Sequence, residues 1–187
     1  MVRTRLLAII LLVFSSAACA GSVNVNMSNH AAQFEVGYSV NGNADMQSGF
    51  LYNDQSSVIV DTGLVVNGGG DQEAASGPAG GGGVKAIAGT IKQGGSSYFV
   101  SCIAIGGQVT YTFPAAPAFA LSGEYFTALK ITSFGDGDRF NQFGLRIEMG
   151  PPHAKFFLGY REITFDIIGT GGVSVDKGGY TGVMFSF

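Results

Sequence analysis

Polar and apolar residues alternate along most of the chain beyond residue 21. From residue 33 to 40 every second residue is apolar, beginning at Phe34, and the residues between them are polar or glycine. The same alternation occurs at 102–113, 142–149 and 158–161. Successive side chains of a β-strand point to opposite faces, so a period of two predicts strands with one apolar face.

Ten such segments follow one another, separated by turn residues, and β-branched and aromatic residues dominate them, as strands prefer. They are Ser22–Ser28, Ala32–Val40, Met46–Asn53, Ser57–Asn67, Val84–Lys92, Ser97–Phe113, Phe119–Leu129, Asp138–Met149, Ala154–Phe165 and Gly179–Phe187. The predicted fold is all-β, a single antiparallel up-and-down barrel of ten strands. Eight strands is the alternative, because the first two segments are short and such barrels have an even strand number.

The composition places this barrel in a membrane. Charged residues make up 12% of the chain, against about 25% in ordinary soluble domains. After the N-terminal region, no apolar stretch approaches the roughly 20 residues of a membrane-spanning helix. A transmembrane β-barrel accounts for both observations, because its strands alternate between lipid and lumen. A secreted, lipocalin-like binding barrel is the alternative, and it requires the apolar face to point inward.

The N-terminus has the layout of a secretory signal peptide. Two arginines within the first five residues precede the apolar run Leu6–Phe14, which is too short to span a bilayer as a helix. Ala18 and Ala20 fit a small-residue cleavage motif, so residues 1–20 are predicted to be a signal peptide and residues 21–187 an outer-membrane barrel. In the alternative, Cys19 is the lipidated residue of a lipoprotein.

Charge limits the partners. Loss of residues 1–20 removes two arginines and leaves eight basic residues against 13 acidic ones. Nucleic-acid binding requires clustered Lys and Arg, so it is excluded. The expected partners are outer-membrane lipids and the barrel assembly machinery, with no obligate protein partner, no cofactor and no metal site.

Four charged residues fall on the inner face of three consecutive predicted strands: Glu124, Arg146, Glu148 and Arg161. Opposite charges in a narrow lumen should pair, because isolated buried charges are costly. Their predicted role is a structural plug of ion pairs and hydrogen bonds. The alternatives are a charged constriction that selects ions and paired acid–base catalysis.

An enzymatic function is not expected, although one surface site deserves a test. His30 and His153 are predicted to lie at opposite ends of the barrel and therefore cannot cooperate. His30 could meet Asp54 in the neighbouring external loop and form a hydrolytic pair. An acidic or hydroxyl neighbour of His30 would favour this alternative.

The connections between segments predict an orientation. Pro114–Pro117 and Gly150–Pro152 are assigned to periplasmic turns, and Lys130–Gly137 and Asp166–Gly178 to longer external loops, as in outer-membrane barrels. The Gly-rich stretch Gly68–Gly83 is predicted to be a flexible insertion.

The C-terminal residue Phe187 follows Phe185 and Val183 at alternate positions, which resembles the assembly signal of bacterial outer-membrane barrels. The chain as a whole resembles the YfaZ family of small outer-membrane proteins. The stretches that carry this resemblance are Gly123-Glu124-Tyr125, Gly144-x-Arg146, Gly159-Tyr160-Arg161 and the terminal Gly-Tyr-x-Gly-Val-x-x-Ser-Phe from Gly179. The resemblance implies a barrel in the outer membrane of a Gram-negative bacterium, acting as a narrow, porin-like channel or a structural component. The Gly68–Gly83 stretch departs from the family, in which a short turn joins the strands.

Overall fold

The computed structural model describes residues 21–68 and 77–187, which form antiparallel β-strands and short connections. The predicted signal peptide and its cleavage residues Ala18 and Ala20 lie outside these residues. Within the described residues, no helix has the length and apolarity needed to cross a bilayer.

Eleven strands are present in chain order. They are β1 Ser22–Ser28, β2 Ala31–Asn41, β3 Ala44–Asn53, β4 Val58–Asn67, β5 Gly77–Gln93, β6 Ser96–Thr112, β7 Phe119–Ala128, β8 Ser133–Gly135, β9 Gly137–Met149, β10 Ala154–Ile167 and β11 Gly171–Ser186. A single 3₁₀ turn, Lys130–Thr132, precedes β8.

Ten of these strands close into a ring. Each pairs antiparallel with the strand before and after it, and β1 pairs with β11 from Ser22↔Ser186 to Ser28↔Tyr180. The short β8 pairs with the part of β6 that extends beyond β7. The predicted ten-stranded barrel is therefore confirmed, and the eight-stranded alternative is wrong.

The outer face of the barrel is apolar, as a membrane requires. Large hydrophobic side chains remain exposed along the strands, including Ile105 at 59% and Leu158 at 68%. The alternating sets that begin at Phe34 and Phe143 point outward on β2 and β9. The apolar outer face contradicts the secreted, lipocalin-like alternative, because water would meet these side chains.

The predicted external loop Asp166–Gly178 is wrong, since β10 and β11 continue to a three-residue turn at 168–170. A β-bulge explains why the pattern hid this strand. Ile163 pairs with Asp176 but Thr164 pairs with Ser174, so Val175 is extra and both Val175 and Asp176 are buried. A bulge shifts the side-chain parity by one and interrupts the alternation.

The predicted flexible insertion Gly68–Gly83 is wrong in part, because β5 begins at Gly77. Gly81 and Gly83 pair with Asn67 and Val65 on β4. A Cβ on Gly81 would lie 2.6 Å from the Val66 carbonyl oxygen, so the close approach of two backbones requires glycine here. The rest of the predicted insertion includes residues 69–76, which lie outside the described residues.

The lumen has two different halves. The half away from the chain termini is filled by a continuous apolar core, whereas the half next to the termini is polar. The core, which we call the apolar plug, includes Leu51, Ile59, Ile87, Ile91, Val100, Phe126, Phe140, Ile163, Phe165, Ile167, Val173 and Val175. Each of these side chains is buried.

Candidate functional site in the barrel lumen

The four charged residues singled out from the sequence all lie on the inner face of the barrel. They do not form one network. Hydrogen bonds and ion pairs divide them into three groups, centred on Arg161, on Arg146 with Glu148, and on Glu124. Each group recruits residues that the sequence analysis did not select.

Arg161 occupies the most buried of these groups. Its Nε and Nη2 donate to the Oδ2 of Asp176 at 2.9 and 2.5 Å, and its Nη1 donates to the Oδ1 of Asn26 at 2.9 Å. Gln33 Oε1 accepts a further hydrogen bond from Nη1. The guanidinium lies 4.8 Å from the centre of the Tyr180 ring. Several acceptors thus replace the water that Arg161 loses on burial.

Glu148 receives three donors. Arg146 Nε and Ser122 Oγ donate to its Oε1, both at 2.8 Å, and Lys155 Nζ lies 3.0 Å from its Oε2. Arg146 also lies 5.2 Å from the centre of the Phe157 ring. The carboxylate is therefore held by two cations and one hydroxyl.

Glu124 belongs to the third group. Gln142 Nε2 donates to its Oε1 at 2.8 Å, and Lys85 Nζ lies 3.7 Å from its Oε2. Lys85 is 2% exposed, and its ammonium lies 4.4 Å from the centre of the Phe126 ring. Lys85 thus connects the polar half of the lumen with the apolar plug.

Sequence reasoning missed several of these partners. Lys85 and Glu35 stand at inner-face positions of predicted strands, so their parity could have identified them. Lys155 lies next to a Pro-marked turn, where parity is poorly defined. Asp176 was unrecognisable because the β-bulge displaced it from the alternation.

Glycines on the inner face make space for the large charged side chains of neighbouring strands. A Cβ on Gly144 would lie 3.0 Å from Glu124 Cγ, and one on Gly63 would lie 2.6 Å from Lys85 Cγ. At Gly159 an added Cβ would lie 2.8 Å from both Arg146 Cβ and Tyr180 Cε1. The alternation of small and large residues therefore fills the lumen without steric conflict.

Replacing Gly159 with alanine should destabilise the folded barrel by about 1–3 kcal/mol, the usual cost of overpacking. Gly179→Ala is the matched control on the adjacent strand, because its Cβ would meet only the Gly159 carbonyl oxygen at 3.8 Å. Urea unfolding of both variants in lipid vesicles measures the difference. Equal stability of the two variants would contradict the steric role of Gly159.

The polar half of the lumen encloses a cavity of about 640 Å³, including the part that opens to solvent. We call it the terminus-side cavity. Its wall includes the chain-end residues Ser22 and Met184, so it lies toward the end of the barrel that carries both termini. Its polar and charged lining comprises Asn24, Glu35, Gln47, Gln108, Glu124 and Arg146.

A family model described as "YfaZ precursor" matches residues 1–187. The chain belongs to the YfaZ family. The resemblance inferred from the Gly-Tyr-Arg and C-terminal stretches is therefore confirmed. No match was found among curated proteins.

Solved outer-membrane proteins are similar to this YfaZ-family chain at low identity. The outer membrane channel DcaP of Acinetobacter baumannii is 11% identical, with a TM-score of 0.44 over 88% of this chain and 54% of DcaP. The chain thus spans about half the length of DcaP. The KdgM porin is 8% identical, with a TM-score of 0.45 over 89% of this chain and 98% of its own.

The C-terminal residues of the YfaZ-family barrel lie where β11 meets β1. Val183 and Phe185 face outward and pair with Val25 and Val23. Phe187 is 77% exposed, and its backbone N–H donates to the Gly21 carbonyl oxygen at 3.0 Å. Their role as an assembly signal stays a prediction.

His30 has the acidic neighbour that the enzymatic alternative requires. Its Nδ1 lies 2.8 Å from the Oδ2 of Asp54, and both side chains are more than half exposed. The nearby Ser28 Oγ donates to Asp176 at 2.8 Å, which commits it to the buried Arg161 group. His153 lies in the turn between β9 and β10, at the opposite end. The His30–Asp54 pair stands outside the terminus-side cavity.

Proposed function

We propose that this YfaZ-family protein is a non-enzymatic outer-membrane barrel whose lumen is plugged, so that it does not conduct ions. The observation that carries the proposal is the apolar plug. Phe126, Phe140 and Phe165 are each at most 1% exposed in the half of the lumen away from the termini. An ion crossing this half would lose its water without gaining polar contacts, and such a loss is prohibitive.

In this proposal the plug differs from the one expected from the sequence. Apolar side chains close the lumen, and the ion-paired groups occupy the polar half beside them. A charged constriction formed by Glu124 and Arg146 is the second candidate, supported by the lining of the terminus-side cavity. It would select ions only if the apolar plug opened.

We further propose that residues 1–20 are removed during export and that the barrel assembly machinery inserts the chain with both termini in the periplasm. The meeting of Gly21 and Phe187 at one end supports the shared orientation of the termini. The terminus-side cavity then opens to the periplasm.

Purified from outer membranes with detergent, the protein should show no measurable conductance in planar bilayers. Phe140 and Phe165 contact each other with ring centres 4.8 Å apart. Replacing both with alanine should therefore open the apolar plug and produce conductance. Phe143→Ala, on the outer face of β9, is the control and should remain silent.

Steady conductance of the wild-type barrel would contradict the plugged lumen and favour the charged constriction. Recovery of the protein from the soluble periplasm without detergent would contradict the location itself.

A further inference from the structure

One buried polar atom in the lumen lacks a protein partner. Asn24 is 7% exposed, and its Nδ2 donates to Glu35 Oε2 at 2.7 Å. Within residues 21–68 and 77–187, its Oδ1 accepts no hydrogen bond. Buried carbonyl oxygens are normally satisfied, so a free acceptor in a cavity wall indicates a ligand that donates hydrogen bonds.

The charges around Asn24 favour a cation. Glu35 and Glu124 both line the terminus-side cavity. Arg146 is the cationic residue in the same wall, and its Nε is already bonded to Glu148 at 2.8 Å. Glu35 accepts hydrogen bonds from Asn24 and Gln33, which hold its carboxylate in place at the cavity wall.

The donor set fits an organic cation better than a metal ion. In the described part of the chain, no three His, Cys, Asp or Glu side chains come together as metal ligands do. An ammonium group carries three N–H donors and can bond one amide oxygen and two carboxylates at ordinary hydrogen-bond distances. The cavity volume of about 640 Å³ suits a small molecule rather than a polymer.

We propose that the terminus-side cavity binds a small organic ammonium ion, whose N–H groups bond Asn24 Oδ1 and the carboxylates of Glu35 and Glu124. This ligand class goes beyond the proposed plugged barrel. The apolar plug closes the far side of the cavity, so the site loads and empties from the end that carries the termini.

Isothermal titration calorimetry of the full barrel in detergent micelles, with putrescine as the probe, tests the proposal. Putrescine should bind, whereas butanediol, which has no charge, should not. Tetramethylammonium, which has charge but no N–H donors, and magnesium chloride should neither bind comparably nor compete. Equal binding of butanediol, tetramethylammonium or magnesium, or no binding of putrescine, would overturn the proposal.

Two variants locate the site. Asn24→Ala and Glu35→Gln should each weaken putrescine binding about tenfold or more, as expected from losing a hydrogen bond to a charged group. Glu162→Gln is the matched control, since Glu162 pairs with Lys177 in an exposed position outside the cavity. Unchanged binding in a folded Glu35→Gln variant would overturn the assignment. If neither variant folds, competition on the wild-type barrel still decides. Conductance plays no part in this assay, so its failure is separable from failure of the proposed plug.

Discussion

Replacing Arg161 with methionine should lower the free energy of unfolding of the barrel by roughly 3–5 kcal/mol, the usual cost of breaking a buried ion pair from one side. The variant leaves Asp176 buried at 3% exposure without its cation. It also removes the donors that satisfy Asn26 and Gln33. Reversible urea unfolding in lipid vesicles measures the change.

Two further variants make this expectation specific. The double variant Arg161→Met with Asp176→Leu should be more stable than Arg161→Met alone, because no charge then remains unpaired. Lys177→Met breaks the exposed pair with Glu162 on the same two strands and should change stability little. A loss in Lys177→Met as large as that in Arg161→Met would show that burial is not the cause.

Replacing Phe187 with alanine should reduce the amount of barrel in the outer membrane several-fold while leaving the stability of the folded protein nearly unchanged. The Phe187 side chain is 77% exposed, so it contributes little to packing. Its backbone N–H bond to Gly21 survives the substitution. Western blotting of outer-membrane fractions measures the yield, and urea unfolding of refolded protein measures the stability.

Ile131→Ala is the control for Phe187, since Ile131 is an equally exposed apolar residue, at 83%, in the 3₁₀ turn at the other end of the barrel. Its outer-membrane yield should match the wild type. Equal yields from the two variants would remove the basis for an assembly signal at the C-terminus. A parallel loss of stability in Phe187→Ala would instead indicate a structural role.

The strand number and the outer face could be predicted because lipid imposes a strict period of two on segments such as 142–149. The prediction failed where the side chains stop reporting parity. Glycines 80–83 of β5 have no side chains to alternate, and the bulge at Val175 and Asp176 shifts the parity within β11. Both features resemble loops in the sequence alone.

The apolar plug could not be predicted for a different reason. In segments such as 50–52 and 58–60, consecutive residues are apolar, so both faces of the strand are apolar and alternation cannot separate lumen from lipid. The general expectation of a small, polar inner face holds near Gly37 and Gln108 but not near Leu51 and Ile59.

The charged positions on β7, β9 and β10 were found by parity, but their partners were not. Arg161 pairs with Asp176 and not with the glutamates of the predicted cluster. Pairing depends on the stagger between neighbouring strands, and one sequence does not fix that stagger when a bulge intervenes.

The pairing of β1 with β11 has a consequence for how the barrel forms. Within the described residues, the other pairings join strands that follow one another directly or across the short β8, so each can grow as a local hairpin. Joining Ser22 to Ser186 instead requires the two ends of the chain to meet, and the entropy of loop closure opposes such contacts until the intervening strands are in place. The β1–β11 seam should therefore close last and limit the folding rate, and until it closes the growing sheet has two open edges.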